Sequence, residues 1–153
     1  MPPSSGSGCS GPASSAPRPE LAVELTVRDG ELAVTRLAAG SPPPDWARPG
    51  AGGIVATVAT AEETSVVCDA AAVPAGVTSS SGWAALAVAG PLEHSLTGIL
   101  ASLATPLADA EVPIFAISTY DTDYLLVPAV RLAEAVAALR GAGHAVADRA
   151  GEG

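Results

Sequence analysis

The stretch Val112-Pro113-Ile114-Phe115-Ala116-Ile117-Ser118-Thr119-Tyr120-Asp121-Thr122-Asp123-Tyr124-Leu125-Leu126-Val127 carries the most decisive local pattern in the chain. An apolar run, Val112 to Ile117, meets the polar segment Ser118 to Asp123 and resumes from Tyr124 to Val127. Two short apolar runs joined by a polar turn predict a β-hairpin. Upstream, Ile99, Leu100, Leu103 and Leu107 recur at helical spacing, with Ala101, Ala104 and Ala108 between them. Ser95 and Thr97 are candidate N-caps. Pro106 removes a hydrogen bond to the carbonyl of Ser102 and predicts a kink. Downstream, Val130, Ala133, Val136, Ala137 and Leu139 form one face of a second helix, ended by Gly141 and Gly143. Trp83 to Val88 predicts a strand before the first helix, and His144 to Ala147 a short strand after the second. The order is β-α-β-β-α-β. Two interleaved βαβ halves of this kind make a four-stranded antiparallel sheet covered by two helices on one face, a ferredoxin-like α+β fold.

The first half reads as strand-rich. Leu21, Val23, Leu25 and Val27 alternate with Ala22, Glu24, Thr26 and Arg28. Arg28-Asp29-Gly30 offers a turn, and Leu32, Val34 and Leu37 resume the alternation, which predicts a hairpin with one buried face. Ser41-Pro42-Pro43-Pro44-Asp45-Trp46 breaks regular structure. Two more strands are expected, Ile54 to Val58 and Ser65 to Cys68. Residues 1–19 are almost wholly Ser, Gly, Pro and Ala and bury too little apolar area to offset their ordering entropy, so a disordered tail is expected. The expected organisation is that tail, an N-terminal unit over 20–80, a C-terminal unit over 81–148, and a disordered end at 149–153.

Composition narrows the function. Hydrophobic residues make up 48% of the 153 and charged residues 15%, enough for a core, yet aromatics are only 3%. Leu, Val, Ile and Ala must fill that core, and dimerisation would add to a modest stability margin. All seven basic residues are Arg, and the net charge is −9. Such a surface repels phosphate backbones, so nucleic-acid binding is not expected. Without Lys there is neither Schiff-base chemistry nor a P-loop lysine. No signal segment or long apolar run is evident, which gives the expectation of a cytoplasmic protein that does not enter a membrane. Cys9 and Cys68 lie in unlike contexts, and Cys68 reads as a small buried hydrophobe.

Catalytic constellations are absent from the pattern. His94 and His144 are the only imidazoles, and His94 beside Ser95 does not make a nucleophile and base. Two His and two separated Cys offer no metal-ligand spacing, and Asp121 with Asp123 lacks the distal Glu of a Ca²⁺ loop. Non-covalent capture fits better. A helix start at Thr97, Gly98 and Ile99 presents unpaired N–H groups suited to a carboxylate. The turn Ser118 to Asp123 supplies hydroxyls and carboxylates suited to an ammonium group. Together they suit a free α-amino acid, although Thr119 and Asp121 could equally serve only to stabilise the turn.

Thr97-Gly98-Ile99-Leu100, Pro106-Leu107-Ala108 and the segment Val112 to Val127 resemble the CASTOR-type ACT domain family. Ala33-Val34-Thr35-Arg36-Leu37, Pro44-Asp45-Trp46 and Glu63-Thr64-Ser65-Val66-Val67-Cys68 resemble the degenerate first ACT-like unit of its small bacterial members. The resemblance spans about residues 20 to 148 and implies two tandem ACT-like units, with amino-acid ligands at the seam between units. Position by position, it implies ligand contacts at Gly98 and Ile99, at Pro113 and Ile114, and at Thr119, Tyr120, Thr122 and Asp123, with Asp123 facing the ligand ammonium. Arginine-sensing members of that family carry an acidic residue two places before the helix glycine, where this chain has Leu96. That leaves room for an apolar or aromatic amino acid.

The expected function is therefore a non-catalytic regulatory or sensor protein that binds an amino acid and forms a homodimer. It needs no cofactor and acts through subunit contacts or an unidentified protein partner. The alternative is a structural interaction module whose ligand site is vestigial.

Overall fold

A computed structural model of the chain describes residues 22–90 and 98–148. The tail at 1–19, the end at 149–153 and the residues His94, Ser95, Leu96 and Thr97 lie outside the described residues. The strands are β1 (Glu24–Val27), β2 (Leu32–Ala38), β3 (Ala56–Ala59), β4 (Glu63–Asp69), β5 (Thr78–Val88), β6 (Phe115–Ser118), β7 (Asp123–Pro128) and β8 (Ala145–Ala147). The helices are α1 (Ile99–Asp109), between β5 and β6, and α2 (Leu132–Gly141), between β7 and β8. The second half thus follows the expected β-α-β-β-α-β order, and the fold is α+β.

All the strands join one 8-stranded sheet in which β5 is the spine. Trp83 pairs with Leu32 of β2 and with Pro128 of β7, so those strands lie on opposite edges of β5. Leu86 and Ala87 likewise pair with both β1 and β7. Hence β1 and β2 lie end to end along one edge of β5, and β7 with β6 along the other. The pairing with β2 slips by a residue between Leu32 and Val34. Gly82, with φ +83°, sits in that stretch of β5 and takes a backbone angle that other residues adopt only with strain.

Two expectations are corrected by this topology. The turn at Asp29-Gly30 forms, but β1 and β2 are not a hairpin: β2 pairs with β4 and β5, while β1 pairs with β5 and runs parallel to β8. Leu25 and Val27 bury against the helix-side core only in that position. The last strand meets β1, so β1 is inserted between β8 and β5, which a four-stranded ferredoxin-like sheet would pair directly. The expected division at residues 80 and 81 falls inside β5.

Alternation along the strands builds two cores on opposite faces of the sheet. Ala84, Leu86 and Val88 of β5, with Leu125 and Val127 of β7, pack under the helices against Ile99, Leu103, Leu107, Ala135, Val136 and Leu139. Ala85 and Leu126 point the other way and join Leu32, Ile54 and Val67. In α2 the buried set is Ala135, Val136 and Leu139, with Leu132 partly buried, while Ala133 and Ala137 are exposed. Val130, expected on the buried face, is 94% exposed, because Ala129–Arg131 form a separate short turn before the helix begins.

Candidate functional site

The end of β5 and the β6–β7 turn are held together. Thr122 donates its hydroxyl to the Val88 carbonyl at 2.7 Å. Gly90 lies so close to the turn that a Cβ there would stand 2.9 Å from that of Thr122 and 3.2 Å from the Asp121 carbonyl oxygen. Within the turn, the Thr119 N–H donates to the Thr122 carbonyl at 2.8 Å, and the Thr119 hydroxyl accepts from the Thr122 N–H at 3.1 Å. Ser118 donates to the Asp123 carboxylate at 2.7 Å. Each of these short side chains satisfies groups of the turn or of the β5 end.

Gly98 caps the start of α1 in a left-handed conformation, φ +84° and ψ 0°, and its carbonyl accepts the first helical bond from the Ser102 N–H at 2.8 Å. Glycine takes this angle without strain. Among the described residues no side chain caps this end. In sequence Gly98 follows the end of β5 across residues outside the described ones. Ile99 itself is 8% exposed and packs into the core.

The remaining expected contacts are scattered. Pro113 and Ile114 precede β6 and lie at its opposite end from the turn, with Ile114 packed against the helix-side core. Tyr120 is 82% exposed at the turn tip. The structure therefore brings together Thr119, Thr122 and Asp123 with the end of β5, and does not bring Pro113 or Ile114 to them.

A second feature was not foreseen. A cleft of about 680 Å³ opens on the helix-free face, lined by β3, β4 and β6. Val34, Val58, Val67, Phe115, Ile117 and Tyr124 supply its apolar wall, and Glu63, Ser65, Ser118 and Thr119 its polar groups. Of the expected site residues only Thr119 lines it. Its walls come from three separate segments, and the only sequence signal was the alternation in Glu63-Thr64-Ser65-Val66-Val67.

Elsewhere, chemistry is sparse. Among the described residues no group of three or more His, Cys, Asp or Glu could hold a metal ion. No described helix is long and apolar enough to cross a membrane. Cys68 is fully buried. Burial, and then the neighbouring Asp69 carboxylate, pushes its thiol above the ordinary value.

Comparison with known proteins bears on this arrangement. The sequence profile of the ACT domain matches residues 78–141, from β5 to the end of α2. No curated protein matches the chain. Among solved structures, the chain is similar to protein Atu0741 from Agobacterium tumefaciens, with 33% identity and a TM-score of 0.77 over 83% of this chain and 93% of that one. A Vibrio cholerae protein of unknown function, VC0802, matches at 21% identity and a TM-score of 0.64, over 80% of this chain and 91% of that one. The regulatory subunit of aspartate kinase from Thermus thermophilus shares the fold at 12% identity and a TM-score of 0.52, over 76% of this chain and 94% of that one. The chain thus belongs to the family of the Agobacterium protein, as an ACT-domain protein with an ACT-like fold.

Proposed function

We propose that this chain is a non-catalytic regulatory protein of the CASTOR type that binds a free amino acid and acts as a homodimer in the cytoplasm. The observation that carries the reading is the ACT match over residues 78–141, within which Thr122 ties the β6–β7 turn to the end of β5. The N–H groups of a helix start suit a carboxylate, and Asp123 suits an ammonium. The likeness to regulatory parts of aspartate kinases, which is a likeness of fold, agrees with a regulatory role.

A specific observation also favours the alternative, a structural interaction module with a vestigial site. The hydroxyls of Ser118, Thr119 and Thr122 are all engaged within the protein. A thermal-shift screen of the full chain against the twenty amino acids separates the two. Ligand at 100 times its Kd adds about 2.7 kcal/mol of stability. At least one amino acid should shift the transition, and Asp123→Asn should remove that shift. A blank screen sinks the sensor reading in favour of the module.

A further inference from the structure

We propose that the helix-free cleft is a second small-molecule site, and that it takes a compound with an apolar body and a protonated amine but no carboxylate. Its volume, about 680 Å³, falls in the range of small-molecule pockets. Along the path β3-β4-β2-β5-β7-β6 every neighbouring pair is antiparallel, and the first and last of these strands both line the cleft without pairing to each other. The sheet curls around the second core and stops short of closing, which leaves a slit with an apolar floor.

The charge of the lining selects the ligand. Glu63 is the one ionisable acid among the lining residues, and no Arg or His lines the cleft. Its carboxylate is oriented by Ser65, which donates to Oε1 at 3.0 Å. Among the described residues no arginine forms an ion pair with it. Val67, Ser65 and Glu63 follow one another on the same face of β4, so the wall grades from apolar to hydroxyl to carboxylate. A cationic end therefore meets Glu63, while an apolar body lies against Val58, Phe115 and Ile117, and the Tyr124 ring adds a face for a cation. A free amino acid fits worse: Arg36 pairs with Ser65 on this face but does not line the cleft, so a ligand carboxylate would meet Glu63 and no lining cation. This site shares Thr119 with the amino-acid site proposed above but neither Gly98 nor Asp123, and Glu63, Val58 and Phe115 belong to it alone, so the two can be tested separately.

The test uses the full chain, 2-phenylethylamine as probe and 3-phenylpropionate as its charge-reversed counterpart, followed by heteronuclear NMR. The amine should give saturable shifts at Val58, Phe115 and Tyr124, and the carboxylate none. Glu63→Gln, which keeps the shape, should weaken the amine roughly tenfold, as expected for loss of a charge-assisted contact. Should that variant fold poorly, Val58→Arg, at a site 59% exposed, should block the amine by placing a cation at the cleft. Asp123→Asn should leave amine binding unchanged even where it abolishes an amino-acid response. The proposal is overturned if no saturable shift appears, if the carboxylate binds as well, or if both variants bind normally. It is equally overturned if the chain dimerises through Val58 and Phe115 and the dimer excludes the probe.

Discussion

His144 takes up, at the Ser102 carbonyl, the hydrogen bond that Pro106 cannot donate. Its Nε2 lies 2.9 Å from that oxygen, and its Nδ1 accepts from the Val23 N–H at 3.2 Å. Because the Val23 N–H is a donor, Nδ1 must be bare and Nε2 must carry the proton. One ring, 3% exposed, thereby ties α1 to the strand entry before β1. His144→Ala should cost about 2–3 kcal/mol in urea unfolding, since two partners lose their bonds in a largely buried place. In a Pro106→Ala background residue 106 regains an N–H for Ser102. The same His144→Ala change should then cost less, with a coupling of about 0.5 kcal/mol or more. Strict additivity would refute the relationship.

The seam between the β5 end and the turn makes a second prediction. Thr122→Val keeps the shape but strands the Val88 carbonyl, and should lower stability by about 1 kcal/mol. Gly90→Ala pushes a Cβ into the turn and should cost about 1–3 kcal/mol. If the amino-acid site is correctly placed, Gly90→Ala should also weaken the ligand-induced thermal shift, whereas Gly40→Ala, where a Cβ meets nothing but the φ of +81° is strained, should affect stability alone.

Cys68 predicts a pH dependence with a definite sign. Its thiol titrates higher in the folded protein than the ordinary value of 9.0, chiefly through burial and secondly through Asp69. Above the ordinary value the unfolded chain loses its thiol proton while the folded chain retains it. Stability from this group is therefore full below about pH 9 and falls as the pH rises toward the raised folded value. Cys68→Ser or Cys68→Ala should flatten the alkaline limb of a stability–pH curve, and the native thiol should resist alkylation at pH 8.

Arg131 predicts a contrast between its partners. Its guanidinium donates to the carbonyls of Glu111 and Ala110, the latter at 3.1 Å, where Glu111 holds a left-handed φ of +58° after α1. It also pairs with Glu134 at 2.6 Å on an exposed face. Glu134→Ala should change stability by less than about 1 kcal/mol. Arg131→Lys should cost more, because an ammonium cannot span both carbonyls and the carboxylate. Equal effects in thermal unfolding would contradict this.

Legibility in the sequence followed the range of the contacts. The helices and the β6–β7 hairpin were readable because their patterns are local: Ile99, Leu103 and Leu107 are buried as their spacing requires. Pairing partners were not readable. Asp29-Gly30 announces a turn without saying which strand β1 will meet, and its partners β5 and β8 lie far along the chain. The first part of β5, Thr78-Ser79-Ser80-Ser81-Gly82, is polar and exposed and resembles a loop, yet it pairs with β2. The site residues divide the same way. Thr119, Thr122 and Asp123 lie in one contiguous turn, whereas the cleft of Glu63, Val58 and Phe115 exists only after the sheet has curled.

The placement of β1 has a consequence for how the molecule is made. The Val23 to His144 bond spans 121 positions, and β1 pairs with β8 as well as with β5, so the seating of β1 is complete only when the far end of the fold is in place. Until then β8 runs antiparallel to β5 and is free to dock directly beside it. A sheet lacking β1 has this rival arrangement open to it. Contacts of such separation slow folding. A fragment beginning at Thr78 should settle into the rival form, a separate minimum on the same landscape.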